Sequence, residues 1–310
     1  MGRFTHDRRI GDVIDIPVEL AETQSKFLGE AGRAFIVALP GRAADFLERW
    51  ELRRTGPSMY GMCALVLPVE RADGTPAVLK LQNPDEETAG EPVALRVWGG
   101  NGAVRLLGYD EETGTLLLER LDTRDLGGVD SREAVRIIAE LLARLTSVRA
   151  PAGMRGLGDI AARMLDAVPA VSRSLPDEGE RRLLRDCAAA VREVADEPGD
   201  RLLHWDLHYE NVLASHPADQ REPWLAIDPK PLAGDPGFEL MPALANRFDA
   251  AETLWRFDLM TEVLGLDRDR ERARAWTLGR VLQNSLWHVA DGEHALQPDQ
   301  VSIARSLLAR

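Results

Sequence analysis

The sequence predicts an α+β chain of two lobes, a β-sheet N-lobe followed by a mostly helical C-lobe. Three observations carry this. Short β-prone runs concentrate within residues 50–121, around one helical stretch. Apolar residues recur at helical spacing through most of 130–309. With 310 residues, 45% of them hydrophobic, the chain is long enough for two lobes and a substantial core. The boundary falls near residues 120–123, so the expected lobes are 1–121, including an N-terminal extension, and 122–310.

Residues 1–25 read as that extension, with helical character from Val18. Its start is charged (Arg3, His6, Asp7, Arg8, Arg9), and residues 11–17 are too short and too acidic for a signal-peptide core. Within 32–49, Phe35, Ile36, Leu39, Phe46 and Leu47 follow a helical pattern, and Pro40-Gly41 interrupts it, which predicts two short helices. Strand character begins near Trp50. Residues 64–69 and 77–81 are apolar and β-prone, and Asp73-Gly74 between them marks a hairpin turn. Residues 85–98 predict a helix with a start or kink at Pro92. Residues 104–107 and 115–121 form a second strand pair.

In the C-lobe, Asp130 with Glu133 resembles a capping box ahead of the stripe Val135, Ile138, Leu142 and Leu145. Further helices are expected at 157–175, 178–196, 238–248, 252–265, 269–290 and 298–309. Two short strands interrupt them, at Leu202-Leu203 and at 224–227.

A net charge of −13 argues against a nucleic-acid partner and would attract a cationic small molecule. No apolar run reaches the ~18 residues of a membrane span. Cys63 and Cys187 fall in different lobes and read as thiols of a reducing cytoplasm. Of 38 basic residues only three are lysines, Lys26, Lys80 and Lys230. The latter two stand beside candidate catalytic elements. Lysine offers a compact point charge where arginine offers a planar fork.

The most informative stretch is His204-Trp205-Asp206-Leu207-His208-Tyr209-Glu210-Asn211, with Asp228 following 17 residues later. The spacing His-x-Asp-x-x-x-x-Asn is that of a kinase catalytic loop. Phosphoryl transfer needs a carboxylate to orient the attacking hydroxyl, a role that suits Asp206. It also needs hard oxygen ligands for Mg2+, which Asn211 and Asp228 supply. Asp228 ends an apolar strand, where a carboxylate is costly unless paired or metal-bound. His204 and His208 are four apart, but the loop lacks the helical period and the glutamate of a His-Glu-x-x-His zinc site. His204 is expected to brace the loop, and His208 to brace it or to meet the substrate.

Lys80, in Val78-Leu79-Lys80-Leu81, has the setting of a phosphate-contacting strand lysine. Glu86, Glu87 and Glu91 are near enough to hold it. Glu91 adjoins the well-formed helical stretch 94–98 and is the expected partner, although the following Pro92 disfavours helical geometry there. Gly56 and Ser58 lie in a glycine-containing segment between strands that could cover phosphates or simply turn. Asp235-Pro236 reads as a helix N-cap. Trp287 and Asp291, one helical turn apart, could receive a planar cation.

The stretches 203–213 and 224–238, together with Trp50-Glu51-Leu52, 71–75, 79–82, 116–121, 156–160 and 282–292, resemble the aminoglycoside phosphotransferases, in particular the streptomycin 6-kinase and hydroxyurea phosphotransferase group. The likeness runs from about residue 18 to the end. It implies a two-lobed protein-kinase-like fold and transfer of the ATP γ-phosphate to a small-molecule hydroxyl. By that resemblance Asp206 is the catalytic base and Asn211 and Asp228 are the Mg2+ ligands. Lys80, Glu91, Gly56, Ser58, Glu119 and Leu121 serve the nucleotide, with 119–121 as the hinge whose backbone meets the adenine. Asp206, His208, Asp235, Glu239, Trp287 and Asp291 are the residues expected to meet the acceptor. The first expectation for that acceptor is the 6-hydroxyl of streptomycin, whose streptidine ring carries two guanidinium groups. The alternatives are a kinase of the same fold for hydroxyurea or another small hydroxyl compound, and a catalytically silent ligand-binding homologue. The chain departs from the streptomycin kinases at Glu210, Lys230 and Met241, where they carry Gly, Glu and Trp, and this leaves the acceptor open between those compounds.

Overall fold

A computed structural model describes residues 14–216 and 221–310. The charged stretch 3–9 considered above lies outside them. The chain forms two compact units. One runs through Pro92 and includes Arg105–Arg120; the other comprises Val93–Val104 and Leu121–Arg310.

The first unit contains helix α1 (Val18–Arg49) and strands β1 (Arg53–Arg54), β2 (Met59–Tyr60), β3 (Ala64–Glu70), β4 (Pro76–Gln82), β5 (Leu106–Asp110) and β6 (Thr115–Glu119). They form an antiparallel sheet in the order β1-β3-β4-β6-β5, and β2 also pairs with β3. The β3–β4 hairpin turns at Asp73-Gly74. Gly74 takes φ 82°, and Asp73 Oδ1 accepts from Thr75 N at 2.9 Å.

α1 differs from the expected pair of helices. Its break lies at Gly29 (φ 56°, ψ −122°), not at Pro40-Gly41. Past the kink the chain packs so closely that a Cβ on Gly32 would stand 2.0 Å from Gln24 O. Pro40 stays inside the helix, at a cost of about 3 kcal/mol. Phe35, Leu39 and Phe46 are buried with Ala43 against Leu65, Leu67, Leu79 and Leu81. At ~1.5–3 kcal/mol for each large side chain, that stripe outweighs the missing donor.

Helix α2 (Glu91–Trp98) begins at Glu91, within a longer predicted span; 85–90 form turns. Residues 93–104, expected in the N-lobe, belong to the second unit. There Trp98 Nε1 donates to Leu145 O at 3.1 Å, and Val104 N donates to Ala226 O at 2.9 Å. The second unit continues with α3 (Ser131–Leu145), α4 (Leu157–Ser174), α5 (Glu178–Val194), α6 (Met241–Ala245), α7 (Thr253–Val263), α8 (Arg270–Ala290) and α9 (Pro298–Leu308). Asp130 caps α3 by accepting from Arg132 N and Glu133 N. α8 is buried along most of its length, with α4, α5 and α9 packed on it.

Two small ribbons carry the loops that matter. β7 (Arg201–Leu203) pairs with β10 (Leu232–Gly234), and β8 (Val212–Ala214) pairs with β9 (Trp224–Ala226). β8 and β10 were not expected. The predicted helix 238–248 is a 3₁₀ turn at Pro236–Glu239 followed by the short α6. No helix among the described residues is long and apolar enough to cross a membrane. Cys187 is buried, which pushes its thiol up to about 12, and no disulfide forms among the described residues.

Candidate active site

In the first unit, Lys80 lies on β4 opposite Val66 of β3 and Leu116 of β6. Its Nζ is 2.8 Å from both carboxylate oxygens of Glu91, and Gln82 Nε2 donates to Glu91 Oε2 at 2.9 Å. Lys80 and Gln82, two apart on one strand, share a sheet face, so both reach the same carboxylate. Glu91 is fully buried, and it pairs with Lys80 even though Pro92 follows. As the first residue of α2 it does not need interior helical hydrogen bonding.

Gly56 and Ser58 do not form a hairpin tip. β1 and β2 both run along β3, and 55–58 interrupt that edge. Arg54 staples the interruption through Gly56 O at 2.8 Å and Ser58 Oγ at 3.3 Å. The turn into β3 is at 61–63, where Gly61 N donates to Ala64 O. Gly56 instead lines a pocket with Leu47, Leu52, Arg53 and Arg54. Glu119 ends β6 and turns its carboxylate to Arg105, accepting from the backbone N–H at 2.7 Å. Leu121 is the next residue but one and opens the second unit's main segment.

In the second unit, the two ribbons place both halves of the motif side by side. Val212 pairs with Ala226, so Asn211 and Asp228 flank paired positions. Ile227 N donates to Asn211 O at 2.9 Å, and Lys230 N to His204 O at 3.0 Å. His204 is fully buried. Its Nε2 bonds Ile227 O at 3.0 Å, and a carbonyl only accepts, so Nε2 carries the proton. Nδ1 is then the acceptor for Asp206 N at 3.4 Å. Burial, the dominant influence, lowers the ring to about 4 despite nearby Asp206 and Asp228. His204 is thus a neutral brace.

Asn211 Nδ2 donates to Asp206 O at 2.9 Å, which turns Oδ1 away as a hard oxygen donor. That amide oxygen and the Asp228 carboxylate suit Mg2+, which keeps several waters and phosphate oxygens of its own. Both ring nitrogens of His204 are engaged, Nε2 by Ile227 O and Nδ1 by Asp206 N, so the ring presents no lone pair to a metal. His208 caps the turn Tyr209–Asn211 by accepting from Glu210 N, and the Glu210 side chain is 68% exposed.

Lys230 Nζ sits 2.6 Å from Asp206 Oδ2. Asp235 and Glu239, the next acids along the chain, are engaged elsewhere. Asp235 is buried; it accepts from Gly237 N at 2.8 Å and Arg272 Nε at 2.6 Å. Glu239 is fully buried and accepts the backbone N–H groups of His204 and, at 2.9 Å, Trp205. Burial raises its carboxyl to about 7, against the pull of those N–H groups and Arg280. Neither acid is placed to meet an acceptor; both shape the loop.

Trp205 (φ 69°) and Asp228 (φ 56°) hold left-handed backbone. The Trp205 ring is buried under the guanidinium groups of Arg155 and Arg280, at 4.1 and 4.4 Å. It meets Trp287 edge-on at 5.8 Å. Trp287 is 43% exposed, and Asp291 lies exposed at the end of α8. Sequence reasoning missed Gln82, Arg155 and Arg280. Gln82 was signalled by its i+2 relation to Lys80; the two arginines carried no signal among 35.

Residues 49–292 match the model of the aminoglycoside/hydroxyurea antibiotic resistance kinase family. The chain belongs to this family. As a family member it is 66% identical to a hydroxyurea phosphotransferase of Kitasatospora aureofaciens, over 98% of this chain and 88% of that protein. It is 54% identical to a streptomycin 6-kinase of Streptomyces glaucescens, over 95% and 97%. The crystal structure of an aminoglycoside phosphotransferase, APH(4)-Ia, in complex with ADP and hygromycin B shares the fold at TM-score 0.55 and 13% identity, covering 86% of this chain and 96% of that one. The two-unit α+β architecture of this kinase is therefore the protein-kinase-like fold expected.

Proposed function

We propose that this kinase transfers the γ-phosphoryl group of ATP to a small hydroxyl acceptor, and that hydroxyurea suits the site best. The observation that carries the reading is the loop geometry, with Asp206 braced by neutral His204 and Asn211 beside Asp228. The acceptor O–H donates to the Asp206 carboxylate. As its oxygen attacks the γ-phosphorus, the proton passes to Asp206, the bond to the β-phosphate oxygen breaks, and ADP leaves with that electron pair. Lys80, fixed by Glu91 and Gln82, is the phosphate-binding cation. Asn211 Oδ1 and Asp228 would hold Mg2+, which when bound offsets phosphate charge. ADP in the complex of the aminoglycoside phosphotransferase supports the nucleotide reading. Backbone groups of 119–121 are the proposed adenine contact.

Hydroxyurea is favoured because the Lys230 ammonium lies next to the proposed base. A neutral acceptor tolerates that charge, whereas a bis-guanidinium ring is repelled by it. The relative at 66% identity points the same way. Streptomycin is the second reading, favoured by the exposed Trp287 face near Asp291 and the net charge of −13.

ATP consumption by the wild type with each compound tests the reading. Hydroxyurea is expected to give the higher kcat/KM; the reverse order selects streptomycin. Asp206→Asn is expected to lower kcat by about 10²–10⁴-fold. Near-native turnover by that variant refutes both readings. Turnover of neither compound but of another small hydroxyl compound selects a different acceptor; nucleotide binding with no turnover across an aminocyclitol screen selects a silent ligand-binding homologue.

A further inference from the structure

We infer that Lys230 is a positioning residue for Asp206, and that its single-point ammonium is required where an arginine fork would fail. The inference rests on the reading of Asp206 as the base that receives the acceptor proton.

The main chain of Lys230 is fixed on both sides. Its N–H donates to His204 O at 3.0 Å, and its carbonyl accepts from Arg155 Nη2 at 2.9 Å. Arg155 Nε also donates to the next carbonyl, Pro231 O, at 3.2 Å, and its guanidinium lies over the Trp205 ring. Lys230 is therefore tied to the residues on the N-terminal side of Asp206, directly through His204 and through Arg155 to Trp205. From that fixed start its Nζ reaches Asp206 Oδ2 at 2.6 Å.

One oxygen of the carboxylate is thereby occupied. No hydrogen bond to Oδ1 is found among the described residues, so Oδ1 is the atom left to receive the acceptor O–H. Asp206 is held from its backbone as well, with Asp206 N on His204 Nδ1 and Asp206 O under Asn211 Nδ2. The carboxylate is aimed without being filled.

An arginine at position 230 would carry the same charge but a different shape. Guanidinium groups bind carboxylates through two parallel N–H bonds, and such a fork would take Oδ1 and Oδ2 together. The acceptor proton would then have no oxygen to meet. Composition sharpens the point. The chain has 35 arginines and three lysines, so charge alone would ordinarily be met by arginine. The lysine here is explained by geometry.

The test compares wild type, Lys230→Arg, Lys230→Ala and Asp206→Asn, with separate kcat and KM values for ATP and for hydroxyurea and streptomycin. Lys230→Arg is expected to lose on the order of tenfold or more in kcat, with KM for ATP little changed. Ethylammonium is expected to restore part of the Lys230→Ala rate, and guanidinium at equal concentration is not. A crystal structure of Lys230→Arg reads the geometry without turnover, with both Asp206 oxygens expected on the guanidinium. Near-native kcat in Lys230→Arg beside an inactive Asp206→Asn overturns this inference and leaves the phosphotransfer reading standing. Equal rescue by guanidinium, or a fork bound to one oxygen only, also overturns it. Full turnover by Asp206→Asn removes the functional reading itself and this inference with it.

Discussion

His204 and Glu239 meet in one buried knot beneath the proposed catalytic loop, and burial moves them in opposite directions. The imidazole is lowered from 6.5 to about 4, so the folded protein binds fewer protons there than the unfolded chain between those values. Its contribution is present above pH 6.5 and is lost as pH falls to 4, on the order of 3 kcal/mol. Glu239 is raised from 4.5 to about 7, so its contribution is present below pH 4.5 and is lost as pH rises to 7. The two slopes oppose each other between 4.5 and 6.5, which hides both in the wild type. His204→Gln removes one of them. The unfolding free-energy gap between wild type and this variant is expected to narrow by on the order of 3 kcal/mol from pH 6.5 to 4. Denaturant titrations across that range measure it; a gap independent of pH would mean that the ring is not held neutral by burial.

Among the elements, α1 shows how tertiary packing overrides local signals. Gly32 sits where the chain folds back after Gly29, and a methyl group there would run into Gln24 O. Gly41, nine residues on, is exposed, and a methyl group added to it would meet nothing within 4 Å. Gly32→Ala is therefore expected to lower Tm by several degrees or more. Gly41→Ala is expected to leave Tm unchanged or raise it, with about 0.5–1 kcal/mol of helix propensity gained. Thermal unfolding of the two variants decides it, and equal effects would contradict the packing described for α1. The same helix marks the limit of what sequence discloses. Pro40-Gly41 announces a break that the buried Phe35-Leu39-Phe46 stripe suppresses, while Gly29 breaks the helix without an apolar pattern to advertise it. That residues 204–211 and Asp228 belong together was legible because residue types at fixed spacing carry chemistry, and the ribbons do place them side by side. β8 and β10 were not legible, although β7 and β9 of the same length were: three residues give no period to read, and pairing with β9 and β7 is what makes them strands. Asp235 and Glu239 looked like acceptor ligands because sequence does not show which carboxylate is buried under backbone N–H groups. The Lys80–Glu91 pair was foreseen from proximity, and Gln82, which completes it, was not.

At the scale of the whole molecule, charge is the property that sequence states outright. A net −13 raises the local concentration of cations near the surface and leaves neutral solutes unaffected. Salt screens this over a Debye length of about 8–10 Å at physiological strength. Raising ionic strength tenfold is expected to increase KM for streptomycin on the order of threefold or more, while KM for hydroxyurea stays flat. Steady-state kinetics with both compounds checks this; parallel responses would show that net charge plays no part in acceptor capture. Global stability also has a local debtor in the left-handed backbone at Trp205 and Asp228. An L-residue in that conformation costs about 1–2 kcal/mol, which glycine avoids. At Trp205 the buried ring is worth more than that strain, about 3–5 kcal/mol, so a library sorted only for heat resistance would enrich glycine at Asp228 and keep the tryptophan. It would discard the carboxylate proposed to hold magnesium. Directed evolution of this kinase needs a turnover selection running alongside any thermal one, or it will arrive at a sturdier protein with nothing left to catalyse.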